Sequence, residues 1–200
     1  MTKGSDTKKT ILRLGLEMAS LRGLESVTIG ALAKGAGMSK SGLFAHFQSK
    51  ENLQIEILAF AGELFSQGVI VPALRMPAGI ARIKELTDRW IQWNMDLIGG
   101  CIFVTASSDF KDRPGKVRDF LLQQQEEWLD SLRRIARSAV TAGSFRPDCD
   151  EDQFAFEFYS LLLGFHLYYK LLASPQIQER QNQALEKLLN DYRNPIDIDR

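Results

Sequence analysis

Between residues 28 and 50 the chain gathers Thr28, Ser39, Lys40, Ser41, His46 and Lys50, side chains that donate hydrogen bonds or carry positive charge, with no acid between Glu25 and Glu51. Hydroxyls and amines of this kind bind phosphate oxygens, and a lysine also reaches guanine edges. Small residues surround them, among them Gly35, Gly42 and Ala45, and they let a helix backbone come close to a flat or grooved partner. The chemistry on offer is non-covalent recognition of a polyanion.

Covalent chemistry finds less support. There is no phosphate-binding glycine loop, His-Glu-x-x-His or Cys-x-x-Cys pattern. Ser107, Ser108, Asp109 and His166 include the residue types of a hydrolytic triad, but no strand–turn–helix elbow surrounds the serines. Asp148, Asp150 and Asp152 resemble the opening of a calcium loop, yet position six would be Gln153 rather than glycine and position twelve Tyr159 rather than glutamate. Helix capping explains these acids better. The sequence therefore predicts no catalytic residue, no metal and no cofactor. Cys101 has two readings, a small buried residue or a sensor of oxidants if its thiolate were favoured.

Composition agrees. The 200 residues hold 25 Lys and Arg against 25 Asp and Glu, a formal net charge of zero. The balance is an average over two unlike parts. Residues 1–50 carry eight cations and three acids, a surplus of five positive charges, and the remaining 17 cations and 22 acids leave residues 51–200 with the opposite surplus. A basic end joined to an acidic remainder points to a nucleic-acid-facing end. The apolar fraction of 44% supports a core. Two cysteines build no disulfide framework, which favours a reducing cytoplasmic setting. Uncharged runs reach 12 residues, as in Phe158–Tyr169, short of the ~20 that span a bilayer.

The elements that must position these side chains read as helices almost throughout. Ile11, Leu14, Gly15 and Met18 fall on one face of a first helix that Gly23 ends. Thr28 caps a second with inner residues Ile29, Leu32, Ala33 and Ala36; after Gly37, Ser39 caps a short third, with Met38 and Leu43 at hydrophobic-staple spacing. Ser49 caps a fourth, whose inner face is Leu53, Ile57, Phe60 and Leu64. Val71–Gly79, with Pro72 and Pro77, reads as a connection. Helices follow over about 79–98, 102–110 and 114–142, an eighth whose start is loaded by Asp148 to Asp152 runs to about Ala173, and a ninth starts near Ser174-Pro175 and fades by Asn194-Pro195, leaving a frayed tail. The fold class is all-α, with about nine helices in two domains: a helix-turn-helix domain over 1–50 and a helical domain over 51–200. Two short helices across a tight glycine turn are the layout whose second helix enters a major groove, and equally an ordinary hairpin in a bundle.

The residues that separate these alternatives resemble a family. Ile11-Leu12, Arg22-Gly23, Val27-Thr28, Leu32-Ala33, Ala36-Gly37-Met38-Ser39 and the ungapped block Leu43-Phe-Ala-His-Phe-Gln-Ser-Lys-Glu-Asn-Leu53 are similar to the DNA-binding domain of the tetracycline-repressor (TetR/AcrR-type) transcriptional regulators, over residues 8–58. The resemblance implies a homodimer on a palindromic double-stranded operator and a ligand cavity in the larger domain. Carried over by position, Thr28 hydrogen-bonds phosphate, Lys40, Ser41 and Gly42 face base edges beside the capping Ser39, and His46 and Lys50 hold the backbone. Phe44 departs from the pattern, since the family usually has a tyrosine whose hydroxyl reaches phosphate; Phe44 is left as a groove or packing contact.

In the larger domain, Trp90, Trp93, Asn94, Phe103, Trp128 and His166 are the residue types that line small-molecule pockets, and they serve equally as plain core. Helix eight is apolar nearly all round, so it is buried on more than one face. The resemblance places it with helix nine in a four-helix dimer bundle, with Leu161, Leu162, Phe165, Leu185 and Leu188 as anchors. The expected protein is a cytoplasmic, dimeric, ligand-responsive regulator, most simply a repressor released by a small-molecule effector, with no membrane partner. The other readings are a constitutive DNA-binding protein without ligand control and a helical protein–protein adaptor.

Overall fold

A computed structural model describes residues 3–195; the tail expected to fray after Pro195 lies outside the described residues. The helices are α1 (Lys3–Arg22), α2 (Ile29–Ala36), α3 (Lys40–Phe47), α4 (Lys50–Phe65), α5 (Val71–Arg75), α6 (Ile80–Asp96), α7 (Ile102–Phe110), α8 (Lys116–Thr141), α9 (Glu151–Lys170) and α10 (Ile177–Tyr192). A 3-10 turn (Leu24–Ser26) links α1 to α2, and a π-helical turn (Ser66–Ile70) runs from α4 into α5. Counting α4 and α5 as one rod leaves nine helices, and no strand is formed among the described residues.

Two expectations change. α1 begins at Lys3, well before its first apolar face residue Ile11. The stretch over 71–79 is not all connection, because the helix continues to Arg75. Pro72 has no N–H to donate, and its ring collides with the carbonyl four residues back, that of Gly68. The backbone there widens into the π turn instead of ending, and Pro72 then sits in the first turn of α5, where its missing donor costs nothing.

The chain forms two compact units. The first holds residues up to Phe65 together with Met95–Gln125, so the sequence boundary at 50/51 falls inside it. Its core is Leu12, Leu16, Val27, Leu32, Leu43, Phe47, Leu53 and Ile57 from the N-terminal helices, closed by Ile102, Ala106, Phe110 and Leu121. α1 and α4 approach closely because Gly15 has no side chain; a Cβ there would lie 2.6 Å from Cδ1 of Ile57. The Gly99 amide donates to Oγ of Ser20 at 2.9 Å, and a Cβ on Gly99 would fall 1.6 Å from the Ser20 carbonyl oxygen.

The second unit holds Ser66–Asn94 and the residues from Glu126 onward. Phe145, Phe154 and Tyr192 form an aromatic cluster with centroids 5.1–5.8 Å apart. A single antiparallel bridge, Phe145 to Arg193, ties the end of α10 to the loop after α8. Asp150 caps α9: its Oδ1 accepts from the amides of Asp152 and Gln153, both at 3.0 Å, as expected of one of these acids, while Asp148 pairs with Arg146 and Asp152 with Arg133. The rod over Lys50–Arg75 has the length and apolarity of a membrane span; α4, its larger part, carries the fully buried Leu53, Ile57, Leu58 and Ala61 of the first unit's core.

Candidate nucleic-acid interface

α2 and α3 are built from their caps outward. Oγ1 of Thr28 accepts from the Ala31 amide at 3.1 Å, which leaves its O–H free to donate. α2 stops at Gly37, in the left-handed region at φ 64°, while the Met38 amide bonds the Ala33 carbonyl at 2.9 Å, closing a glycine-capped helix end. Ser39 then caps α3 by accepting from the Gly42 amide at 3.1 Å. Leu43 and Phe47 of α3 are fully buried, so the opposite face is open. It carries Ser41, Phe44, Ala45 and His46, with Gly42 half-covered, while Lys40 is exposed in the first turn on the side of Leu43. Phe44 is 55% exposed. Lys40 lies back over α2, where a Cβ on Gly30 would meet its Cε at 3.2 Å.

The models of two domains match this chain. Residues 11–57 match that of bacterial regulatory proteins of the tetR family, and residues 79–185 that of the tetracyclin repressor-like C-terminal domain. The chain belongs to the TetR family. It is a DNA-binding transcriptional regulator and not an enzyme. Among curated proteins it is similar to the HTH-type transcriptional repressor KstR2 of Mycobacterium tuberculosis, 29% identical over 149 residues that span 71% of this chain and 70% of the relative. Among solved structures it is similar to a TetR-family regulator from Cytophaga hutchinsonii, with a TM-score of 0.83 at 18% identity over 96% of this chain and 98% of the other. AibR, solved in complex with isovaleryl coenzyme A and operator DNA, gives a TM-score of 0.70 at 22% identity over 94% and 99%.

In this TetR-family regulator Lys50 is already engaged. Its Nζ donates to Oε1 of Glu25 at 2.5 Å, and Nη1 of Arg113 lies 3.4 Å from Oε2 of the same carboxylate. The turn carrying Glu25 is fixed from below by the buried Gln54, whose Nε2 donates to the Leu24 carbonyl at 3.0 Å. The hydrogen bond from Lys50 is the main cause that holds the Glu25 carboxyl below the usual carboxylate range, against the opposing effect of partial burial. Sequence reading found Lys50 but not Glu25 or Arg113. The available signal was the i, i+4 placement of Lys50 and Gln54, which puts both on one face of α4.

The expected ligand residues divide between the units. Phe103 is in the first, edge-on to Phe65 at 6.1 Å. Trp90, Trp93, Asn94, Trp128 and His166 are in the second. Trp90 and Asn94 are fully buried, and Trp128 packs edge-on to Tyr159 at 6.3 Å. The structure joins two of the six directly: Nδ1 of His166 is 2.7 Å from Oδ1 of Asn94. With a carbonyl oxygen as acceptor, Nδ1 carries the proton and Nε2 is left as an acceptor. Burial, and next the charge of Lys170, lower the His166 pKa, so the ring is neutral near pH 7.

The expected dimer anchors lie mostly within the core of the chain. Leu162, Phe165, Leu185 and Leu188 are at most 7% exposed and Leu161 is half-buried, so the first four are used in their own subunit's core. The apolar residues that α9 leaves open are Phe156, Leu163, Leu167 and Leu171 just past its end, spaced to form one stripe.

Proposed function

We propose that this TetR-family regulator is a cytoplasmic repressor that binds a palindromic operator as a homodimer and releases it when a small molecule binds the helical domain. The observation that carries the DNA-binding role is the exposed surface of α3: Lys40, Ser41, Phe44, Ala45 and His46 are solvent-exposed, on an element whose own N-terminus is already capped by Ser39. Lys40, Ser41 and Gly42 meet base edges; Thr28, with its free O–H, and His46 and Lys50 meet phosphates; Phe44 presents an apolar ring to the groove. Two-fold symmetry sets the recognition helices in successive major grooves, about 34 Å apart. The exposed stripe of α9, with α10, supplies the dimer contact.

The relatives support the rest: KstR2 is named a repressor, and AibR was solved with both a coenzyme A thioester and operator DNA. The effector of this chain is an apolar molecule with a hydrogen-bond donor for Nε2 of His166, held among Trp90, Trp93, Asn94 and Trp128 of the second unit. It acts only by the difference in its affinity for the DNA-competent and DNA-incompetent conformations. The deciding experiment selects an operator from random DNA and measures binding against salt. Log affinity falls linearly with log salt, with a slope near −0.9 per phosphate neutralised. A flat response removes the DNA-binding role and leaves the adaptor reading. Compounds screened for release of that operator then separate ligand control from constitutive binding.

A further inference from the structure

Two cations share the Glu25 carboxylate. Lys50 takes Oε1 and Arg113 stands at Oε2. Arg113 is not part of the helix-turn-helix. It belongs to the loop after α7, where its amide bonds the Phe110 carbonyl at 3.0 Å and its guanidinium lies over the buried Phe110 ring, 5.7 Å from the centroid. Glu25 is equally fixed, because Gln54 pins its turn. The three charges border a cleft of about 230 Å³, which Glu51 and Arg118 also line.

We infer that Arg113 is a positioning residue for DNA binding: by occupying one side of Glu25, it leaves the Lys50 ammonium available to a phosphate. This rests on the reading of Lys50 as a backbone contact. The charges lining the cleft are Lys50, Arg113 and Arg118 against Glu25 and Glu51, a surplus of one positive charge that Arg113 supplies. Without Arg113, Lys50 and Glu25 form a neutral pair, and an approaching phosphate competes with an undivided carboxylate for the ammonium. With Arg113 present, the carboxylate is shared, and two of the three Lys50 donors remain for a phosphate oxygen. The Lys50 side chain is 38% exposed, so those donors are within reach of a partner in solvent. The Arg113 guanidinium stays on its ring and its carboxylate and touches no DNA.

The test is a double-mutant cycle on the full chain, read by fluorescence anisotropy of a labelled mixed-sequence duplex between about 50 and 200 mM salt. Arg113→Gln is expected to weaken binding about fivefold at the lower salt and to flatten the salt slope. Glu25→Gln strengthens binding and steepens the slope. In the Glu25→Gln background, Arg113→Gln changes neither. Arg113→Lys, which keeps the charge, binds within about twofold of wild type. Thermal melts confirm folding, and a purely structural loss does not move the slope. Equal weakening by Arg113→Gln in both backgrounds overturns the inference, since Arg113 would then touch DNA itself. So does Arg113→Lys binding as weakly as Arg113→Gln. Lys50→Ala separates the two levels. If it leaves affinity and slope unchanged, the phosphate role of Lys50 falls and the inference with it; if it weakens binding while Arg113→Gln is silent, the inference alone falls.

Discussion

Gln48 occupies a conformation that a side chain resists. It lies at φ 64° and ψ −35°, and the Ser49 amide bonds back to the Phe47 carbonyl at 2.7 Å, a γ-turn between α3 and α4. That turn is strained for any residue with a Cβ. Gln48→Gly is therefore expected to stabilise the protein by about 1 kcal/mol, seen as a rise in melting temperature. His166 makes the opposite kind of prediction. Its pKa is lowered in the native state, so the unfolded state binds the proton more readily. Its contribution is complete above the unfolded value near 6.5 and is lost as pH falls below it towards the native pKa. His166→Gln is expected to remove that part of the decline between about pH 7 and pH 5, measured by urea unfolding at each pH; identical pH profiles would contradict it. At this scale the buried side of α3 was legible, because Leu43 and Phe47 recur at helical spacing among polar and small residues. The ion pair at Glu25 was not. A partner 25 positions from Lys50 leaves no periodic trace, and Arg113 is further still. Which stripe of α9 stays open was not legible either, for a related reason. In a helix apolar nearly all round, periodicity does not say which stripe faces its own core, and only the packing of Phe158, Leu162 and Phe165 separates it from the stripe of Phe156, Leu163 and Leu167.

Elements with polar caps and glycine stops were readable end to end. Thr28, Ser39 and Asp150 each accept the amide bonds expected of them, and α2 stops at Gly37. α5 was missed because two prolines within six residues look like a loop, whereas Pro72 only forces a π turn and then opens a new helical turn. The junction of α1 with the α6–α7 turn depends on one missing methyl. Gly99→Ala would drive a Cβ into the Ser20 carbonyl, which is backbone and has no rotamer to escape into. The expected cost is about 3 kcal/mol, measured by chemical denaturation. A loss below about 0.5 kcal/mol, the range of ordinary surface changes, would show that the two segments separate freely.

For the whole molecule, the stripe on α9 is the test of assembly. Exposed apolar stripes of this extent mark interaction surfaces. Leu163→Glu combined with Leu167→Glu is expected to convert the proposed dimer to a 22.6 kDa monomer at micromolar concentration, read by sedimentation, and to weaken operator binding with it. A variant that still sediments as a dimer places the contact elsewhere. The first unit carries a further consequence. Its core is finished by Ile102, Ala106, Phe110, Val117 and Leu121, the first of which comes some forty residues after the chain leaves the unit at Phe65. The DNA-reading end is thus not a cassette that recombination can lift out by cutting after Phe65. A graft onto another sensor has to carry Met95–Gln125 along, or the host has to provide a helix pair of the same shape. Operator preference in such a protein changes by substitution on α3, residue by residue, more readily than by exchange of the module.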